Sequence, residues 1–192
     1  MKCTELVMRD HAVLRRGLTI LDGMIKKLEA GDRIEIADVN AVLRFFKTFG
    51  DDYHQTVEEK SLFPVLVRAT RQDSPIHQMV QEHGEERALV SWMMDAMASR
   101  RVVDFAHSAR RLNVILRRHL DMEDSILSQL AGQLLTPEAD ETIAEQFAKN
   151  HQDPDLLVNF ARLERKYLPK PDTVVREARP EFARSQAAAS PR

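Results

Sequence analysis

Cysteine is almost missing: Cys3 is the only one in 192 residues. A lone thiol excludes an intramolecular disulfide framework and any thiolate-built zinc site within one chain. Glycine is scarce too, with 6 residues, and β-branched runs are few, which argues against a sheet protein. No apolar run approaches the ~18 residues of a membrane span. The leading stretch MKCTELVMRDHAVLRRGL carries Arg9, Asp10, Arg15 and Arg16 inside its first apolar segment, so it lacks the pattern of a secretory signal. An excess of charge is lacking as well. Lys and Arg number 28 against 30 Asp and Glu, a net charge of −2, so no global field draws the chain onto nucleic acid or anionic lipid. These absences lead to the expectation of a soluble, cytoplasmic protein with no nucleic-acid or membrane partner. What the chain does have is 43% hydrophobic residues and 7 histidines.

The apolar spacing is helical nearly throughout. It predicts a first helix from Thr4, as N-cap, to Ala30, closed by Gly31. A second is predicted over 38–69, with Phe46, Phe49, Val57 and Leu62 inward and a kink or a loosened end at Pro64. Ser74-Pro75 starts a third that reaches Ser99, and a fourth covers 103–130. Short connections make sequential helices antiparallel neighbours, so the expected fold is all-α, an up-down-up-down four-helix bundle. Thr136-Pro137 and Asp153-Pro154 repeat the cap-then-proline signal and predict extra C-terminal helices over 137–150 and 154–168. The expected organisation is a bundle over 1–135, a helical extension over 136–168 and a flexible, proline-rich tail over 169–192.

Four histidines fall on buried stripes, one per bundle helix. His11 sits between Val7 and Leu14, His54 between Phe46 and Val57, His83 between Val80 and Val90, and His119 between Leu116 and Ile126. Glu58 lies four residues after His54, and Glu123 four after His119, so each pair stacks on one helix face. A lone inward histidine is commonly a hydrogen-bonded core residue, and a single HxxxE is an ordinary polar pair. The joint pattern is different. Two carboxylates aimed into an apolar core cost several kcal/mol unless something cationic meets them, and metal ions meet both them and the imidazoles. His77, His107 and His151 lie off the stripes and have no inward carboxylate.

The stretches that carry this pattern, MRDHAVLRRGL, DDYHQTVEEKSLFPVL, QEHGEER and RRHLDMEDSIL, resemble those of hemerythrin-like (HHE) domains, which are non-haem di-iron four-helix bundles. The string HxxxEExxLFPxL is the most specific piece, and the resemblance covers residues 4–132. It implies two iron ions, with His11, His54, His83 and His119 as terminal ligands and Glu58 and Glu123 as bridges. By ligand type alone manganese or zinc would serve. The ferritin-type Glu-x-x-His spacing is absent. Oxygen-carrying members have a fifth histidine, in an HxxxH pair on the third helix, and an aspartate as second bridge. Here Arg87 stands four residues after His83, and the second bridge is Glu123. The smaller ligand set leaves an open coordination position, which a reactive metal site requires.

The expected function is therefore that of a di-iron protein that binds, senses or reacts with dioxygen, nitric oxide or peroxide. Two other readings fit the same residues: a metal-dependent sensor signalling through its C-terminal helices, and a structural metal-stabilised bundle, with a homodimer as a possible assembly. Around the centre, Arg87 is expected to pair with a nearby acid, the alternative being a bond to a bridging carboxylate or a bound oxyanion. Tyr53 is expected to pack with its hydroxyl in water, a hydrogen bond toward the site being the alternative. Trp92, Met79, Met93, Met94 and Met97 are expected to fill the core. Glu59, Glu86 and Asp124 are expected to face solvent, with Glu86 as a reserve ligand. Cys3 is expected to be unreactive.

Overall fold

A computed structural model describes residues 1–69, 75–149 and 154–168, and among these residues every regular element is helical. The expected tail, the Ser74 and Asp153 caps and His151 lie outside them. Helix α1 spans Lys2–Glu29 and buries Val7, His11, Leu14, Leu18, Leu21 and Ile25, the stripe read from the sequence. Gly31, at φ 80°, closes it in the left-handed conformation that glycine adopts without a steric cost. Its start is not the expected one. Thr4 bonds the Met1 carbonyl (2.9 Å), and the helix begins earlier because Asp140, from a distant helix, accepts bonds from the Lys2 and Cys3 amides, both at 3.0 Å. Those are orphan donors of the first turn.

The expected second helix is four pieces: α2 (Ile36–Phe45), a π-helical segment π1 (Phe46–Gln55), a second one π2 (Glu58–Leu62) and α3 (Phe63–Ala69). In π1 the Thr56 amide reaches back five residues to the Asp51 carbonyl. Each such turn holds one residue more than an α-turn and shifts every later side chain around the axis, a device frequent at functional sites. Pro64 falls where π2 passes directly into α3, so its missing N–H lies just past the point where Phe63 still bonds back five residues to the Glu58 carbonyl.

Helix α4 (Pro75–Ala98) and helix α5 (Val102–Leu134) follow, α5 running four residues past its expected end. On α4, Met79 and Met93 are buried, but Trp92 and Met94 are exposed. An α-helix turns about 100° per residue, so both flank Met93 toward the outward side, where Ser91 and Asp95 are exposed as well.

Side-chain pairs fix the directions of neighbouring elements. Along α1 and α5 they are His11 with Asp124, Arg15 with Asp121, and Glu29 with Arg110, so one numbering rises as the other falls. The same holds for Glu82 with Arg118 and Glu85 with Arg111 between α4 and α5. It holds again for Asp51 with Arg87 and Gln55 with Glu86 between π1 and α4.

Helix α6 (Pro137–Ala148) starts as expected, with the Thr136 hydroxyl accepting from the Ala139 amide and proline in the first turn. Helix α7 (Pro154–Tyr167) follows. Both are integral: Ile143, Phe147, Leu156, Phe160 and Leu163 join the same apolar core as Leu14 and Leu18. A buried acid on α2, Asp38, anchors α7 by accepting from Arg162, from Lys166 (2.6 Å) and from the Tyr167 hydroxyl (2.7 Å). Burial opposes its charge, but those three donors hold its carboxyl down at about 2. Gly23 lets α7 approach, since a β-carbon there would lie 2.9 Å from the Tyr167 carbonyl oxygen.

Candidate metal centre

The six side chains singled out by the sequence come together in the core. His11, His54, Glu58 and Glu123 place one donor atom each within 4.8 Å of one another, and His83, His119 and Glu123 do the same. All six are nearly or wholly buried. Glu123 belongs to both groups: its Oε2 lies 3.2 Å from His11 Nε2 and 3.3 Å from His119 Nε2. Glu58 also faces both, with one oxygen 3.9 Å from His11 Nε2 and the other 3.5 Å from His54 Nε2 and 3.6 Å from His83 Nε2. Each carboxylate therefore stands between histidines of the two groups, the placement needed to bridge two ions.

Three features of the geometry fit metal. The Nε2 atoms of His11 and His54 and all four oxygens of Glu58 and Glu123 are buried without a hydrogen-bond partner, a demand that water or a cation must meet. Most of the donor separations fall between 3.1 and 3.9 Å, close to what two ligands about 2.1 Å from one ion adopt. Finally, His83 Nε2 and His119 Nε2 face each other at 3.1 Å, while the Nδ1 of each is already committed to a carboxylate. In neutral rings this sets two acceptors head to head, an arrangement that a shared cation relieves.

Four acids outside the expected ligand set stand beside the imidazoles: Glu59 and Asp124, expected to face solvent, and Asp10 and Glu82, which the sequence reading passed over. Asp124 accepts from His11 Nδ1 (2.7 Å), Glu59 from His83 Nδ1 (2.8 Å) and Glu82 from His119 Nδ1 (3.0 Å). Asp10 stands 3.8 Å from His54 Nδ1. Each belongs to the element preceding its histidine around the core: α1 supports the π1 histidine, π2 that of α4, α4 that of α5, and α5 that of α1. Three of these supports are hydrogen bonds, while Asp10 stands too far to bond His54, whose Nδ1 is buried without a partner. Three of the acids are held in turn by an arginine: Asp124 by Arg15 (2.7 Å), Glu82 by Arg118 (2.8 Å) and Glu59 by Arg87. Asp10 accepts instead from the Tyr53 hydroxyl (2.6 Å). Such outer partners fix the imidazole tautomer, so that Nε2 points at the metal as an acceptor. A signal was present in the sequence, since each acid is the chain neighbour of a ligand: Asp10-His11, Glu58-Glu59, Glu82-His83 and Glu123-Asp124.

Other expectations are resolved at the same place. Arg87 bonds Asp51 (2.7 Å) and Glu59, not a bridging carboxylate, as the pairing expectation had it. The Tyr53 hydroxyl is buried, not wet. Glu86 is buried rather than solvent-facing, and it does not join either donor group. His77 and His107 are exposed. Cys3 is buried, and burial with Asp140 beside it pushes its thiol up to about 12.

Electrostatics show how strongly the site asks for positive charge. Burial opposes ionisation of His11 and His119, yet Asp124, Glu123 and Glu58 hold His11 well above its usual value. Glu123, Glu86 and Glu82 likewise lift His119 to about 10. Glu123 is kept well below the usual carboxylate range by the two imidazoles, against burial. Without metal the site balances its carboxylates with protons on histidine, so ions that bind must displace them.

The fold and the cluster together define a helical protein with a buried histidine–carboxylate site able to bind metal. The chain matches the hemerythrin HHE cation-binding domain over residues 3–131 and belongs to that family. Uncharacterized proteins of Mycobacterium bovis and Mycobacterium tuberculosis are 29% identical to it over 100 residues, which is 52% of this chain and 39% of theirs. The match thus spans about two fifths of these curated relatives. No solved structure matches.

Proposed function

We propose that the helical stretches α1, α2–π1–π2–α3, α4 and α5 form an up-down-up-down bundle around two iron ions. His11 and His54 would be terminal ligands of one ion, His83 and His119 of the other, and Glu58 and Glu123 would bridge them. The centre would react with peroxide, nitric oxide or dioxygen in a cytoplasmic protein. The observation that carries this reading is the pair of fully buried carboxylates, each facing histidines of both groups and each without a hydrogen-bond donor. Bound iron would supply reversible one-electron chemistry and a Lewis-acidic position for a small ligand. The chain's own part is to hold the imidazoles of His11, His83 and His119 in one tautomer through Asp124, Glu59 and Glu82, and to leave one ligand position unfilled, since Arg87, four residues after His83, turns to Asp51 and Glu59. Anaerobic reconstitution with ferrous iron tests it. Two irons per chain, visible charge-transfer bands on oxidation and consumption of added peroxide are expected, and failure to retain iron overturns it.

A second reading, signalling through the C-terminal helices, is favoured by one contact. The Tyr53 hydroxyl, bonded to Asp10, also lies 3.2 Å from the Phe147 carbonyl on α6, and the Phe147 ring is 6.5 Å from that of His54. Signalling of this kind requires that Tyr53→Phe alter the amide-exchange response of α6 to metal. An α6 whose exchange ignores both metal and Tyr53 rejects it.

A further inference from the structure

Beside the metal donors lies a cavity of about 280 Å³, bounded by α1, π1, α4 and α5. Leu14, Phe46, Val90 and Leu116 are buried around it, and toward solvent it is lined by the less buried Lys47, Asp51, Arg87, Ser91 and Met94. Two polar residues line it from within, Gln55 and Glu86, at 6% and 3% exposure. The Gln55 amide donates to one Glu86 oxygen at 2.6 Å. That leaves the other Glu86 oxygen and the Gln55 carbonyl oxygen buried with no partner. Gln55 follows His54 in the chain, Glu86 lies one helical turn after His83, and Leu116 one turn before His119, so the cavity borders the metal centre on three of its elements.

We propose that this cavity is the binding chamber for a small organic hydroperoxide, with its O–OH head held by Gln55 and Glu86 and its apolar body against Leu14, Phe46, Val90 and Leu116. The assignment rests on the peroxide reading of the centre and narrows it. A dry cavity of about 150 Å³ already admits benzene, so this one is far larger than a diatomic molecule fills. Neither dioxygen nor nitric oxide has a hydrogen to offer either unpartnered oxygen. A hydroperoxide has one, on the same atom pair that must approach the metal, and its hydrocarbon part suits the walls. The widened π1 turns supply Phe46, Gly50 and Gln55 to the chamber, which gives the departure from α-geometry a purpose.

The test uses 2-phenylpropan-2-ol, the redox-inert alcohol matching cumene hydroperoxide, titrated calorimetrically into the zinc-loaded full chain, with metal content measured in parallel. Saturable binding is expected. Val90→Phe, which fills the chamber, and Met94→Trp, which obstructs the rim from a partly exposed position, should each weaken it roughly tenfold or more. Replacing both acceptors (Gln55→Leu with Glu86→Leu) should weaken it by about the tenfold that a lost hydrogen bond represents. Two metals per chain with no alcohol binding, or binding indifferent to all of these variants, overturns the chamber and leaves the metal centre standing. Binding that the variants abolish in a chain that holds no metal keeps the chamber and overturns its link to the centre.

Discussion

Replacing Asp124 by asparagine probes the outer ring of acids with little disturbance to the fold. Asp124 Oδ1 accepts from His11 Nδ1 at 2.7 Å, and its Oδ2 accepts from Arg15 at 2.7 Å. An asparagine keeps the shape and one acceptor oxygen but removes the charge that orients the imidazole and raises its basicity. Loss of such a partner lowers metal affinity about 10- to 100-fold, or roughly 1.4 to 2.7 kcal/mol. The cost to the fold is smaller. Asp124 is about one-third exposed, and Arg15 keeps Asp121 at 2.9 Å, so less than about 1 kcal/mol of stability is expected to be lost. The effect also has a signed pH dependence. In the metal-free chain Asp124 helps hold the proton on His11, and a metal must displace that proton. The asparagine weakens the competing proton as well as the metal, so the affinity deficit should be largest at high pH and shrink as pH falls. Competition for zinc against a chromophoric chelator across pH 6 to 9, with melting of the metal-free variant, reads both quantities. An unchanged affinity, or a loss matched by destabilisation of the metal-free chain, refutes the role given to the acid ring.

Three further perturbations separate the centre from its scaffold. Glu123→Ala removes the carboxylate common to both donor groups and should abolish binding of a metal pair, whereas His77→Ala, on the exposed face of α4, should leave metal content unchanged; equal loading of the two contradicts the ligand assignment. Asp38 has a depressed carboxyl, so its stabilisation is complete above the unfolded value near 4 and is lost as pH falls toward about 2. Asp38→Asn should lower stability by on the order of 2 kcal/mol at neutral pH, and a gap in melting temperature that does not close toward pH 2.5 counts against the anchor. Gly23→Ala should destabilise the chain by about 1 to 3 kcal/mol, because the new carbon meets the Tyr167 backbone, whereas Gly132→Ala, with open space around it, should be neutral or stabilising by up to about 1 kcal/mol; similar melting shifts for the two would show that α7 does not press on α1.

The ligand set was legible because it rests on helical periodicity. One histidine per helix on the apolar stripe, with a carboxylate at i+4, survives small errors in helix boundaries. The π-helical stretch was not legible, since a widened turn follows from tertiary packing and leaves the 3.6-residue pattern only slightly blurred. The acid ring was hidden for a related reason. Asp10, Glu59, Glu82 and Asp124 sit about 100° from a ligand on their own helices, which reads as solvent-facing until the adjacent helix brings its histidine alongside. Capping by Asp140 and anchoring by Asp38 join residues more than 120 positions apart, and no local pattern announces such partners. Trp92 was misplaced because it adjoins the buried Met93 at the margin of the apolar stripe, and periodicity alone cannot fix where a stripe ends.

Metal content and coordination, measured on the full chain by elemental analysis and X-ray absorption, test the central claim most directly. The account predicts two ions per chain, each surrounded only by nitrogen and oxygen, with a metal–metal scattering contribution from the shared carboxylates. A single isolated ion, sulfur among the ligands, or a chain that stays metal-free under generous iron supply would contradict it.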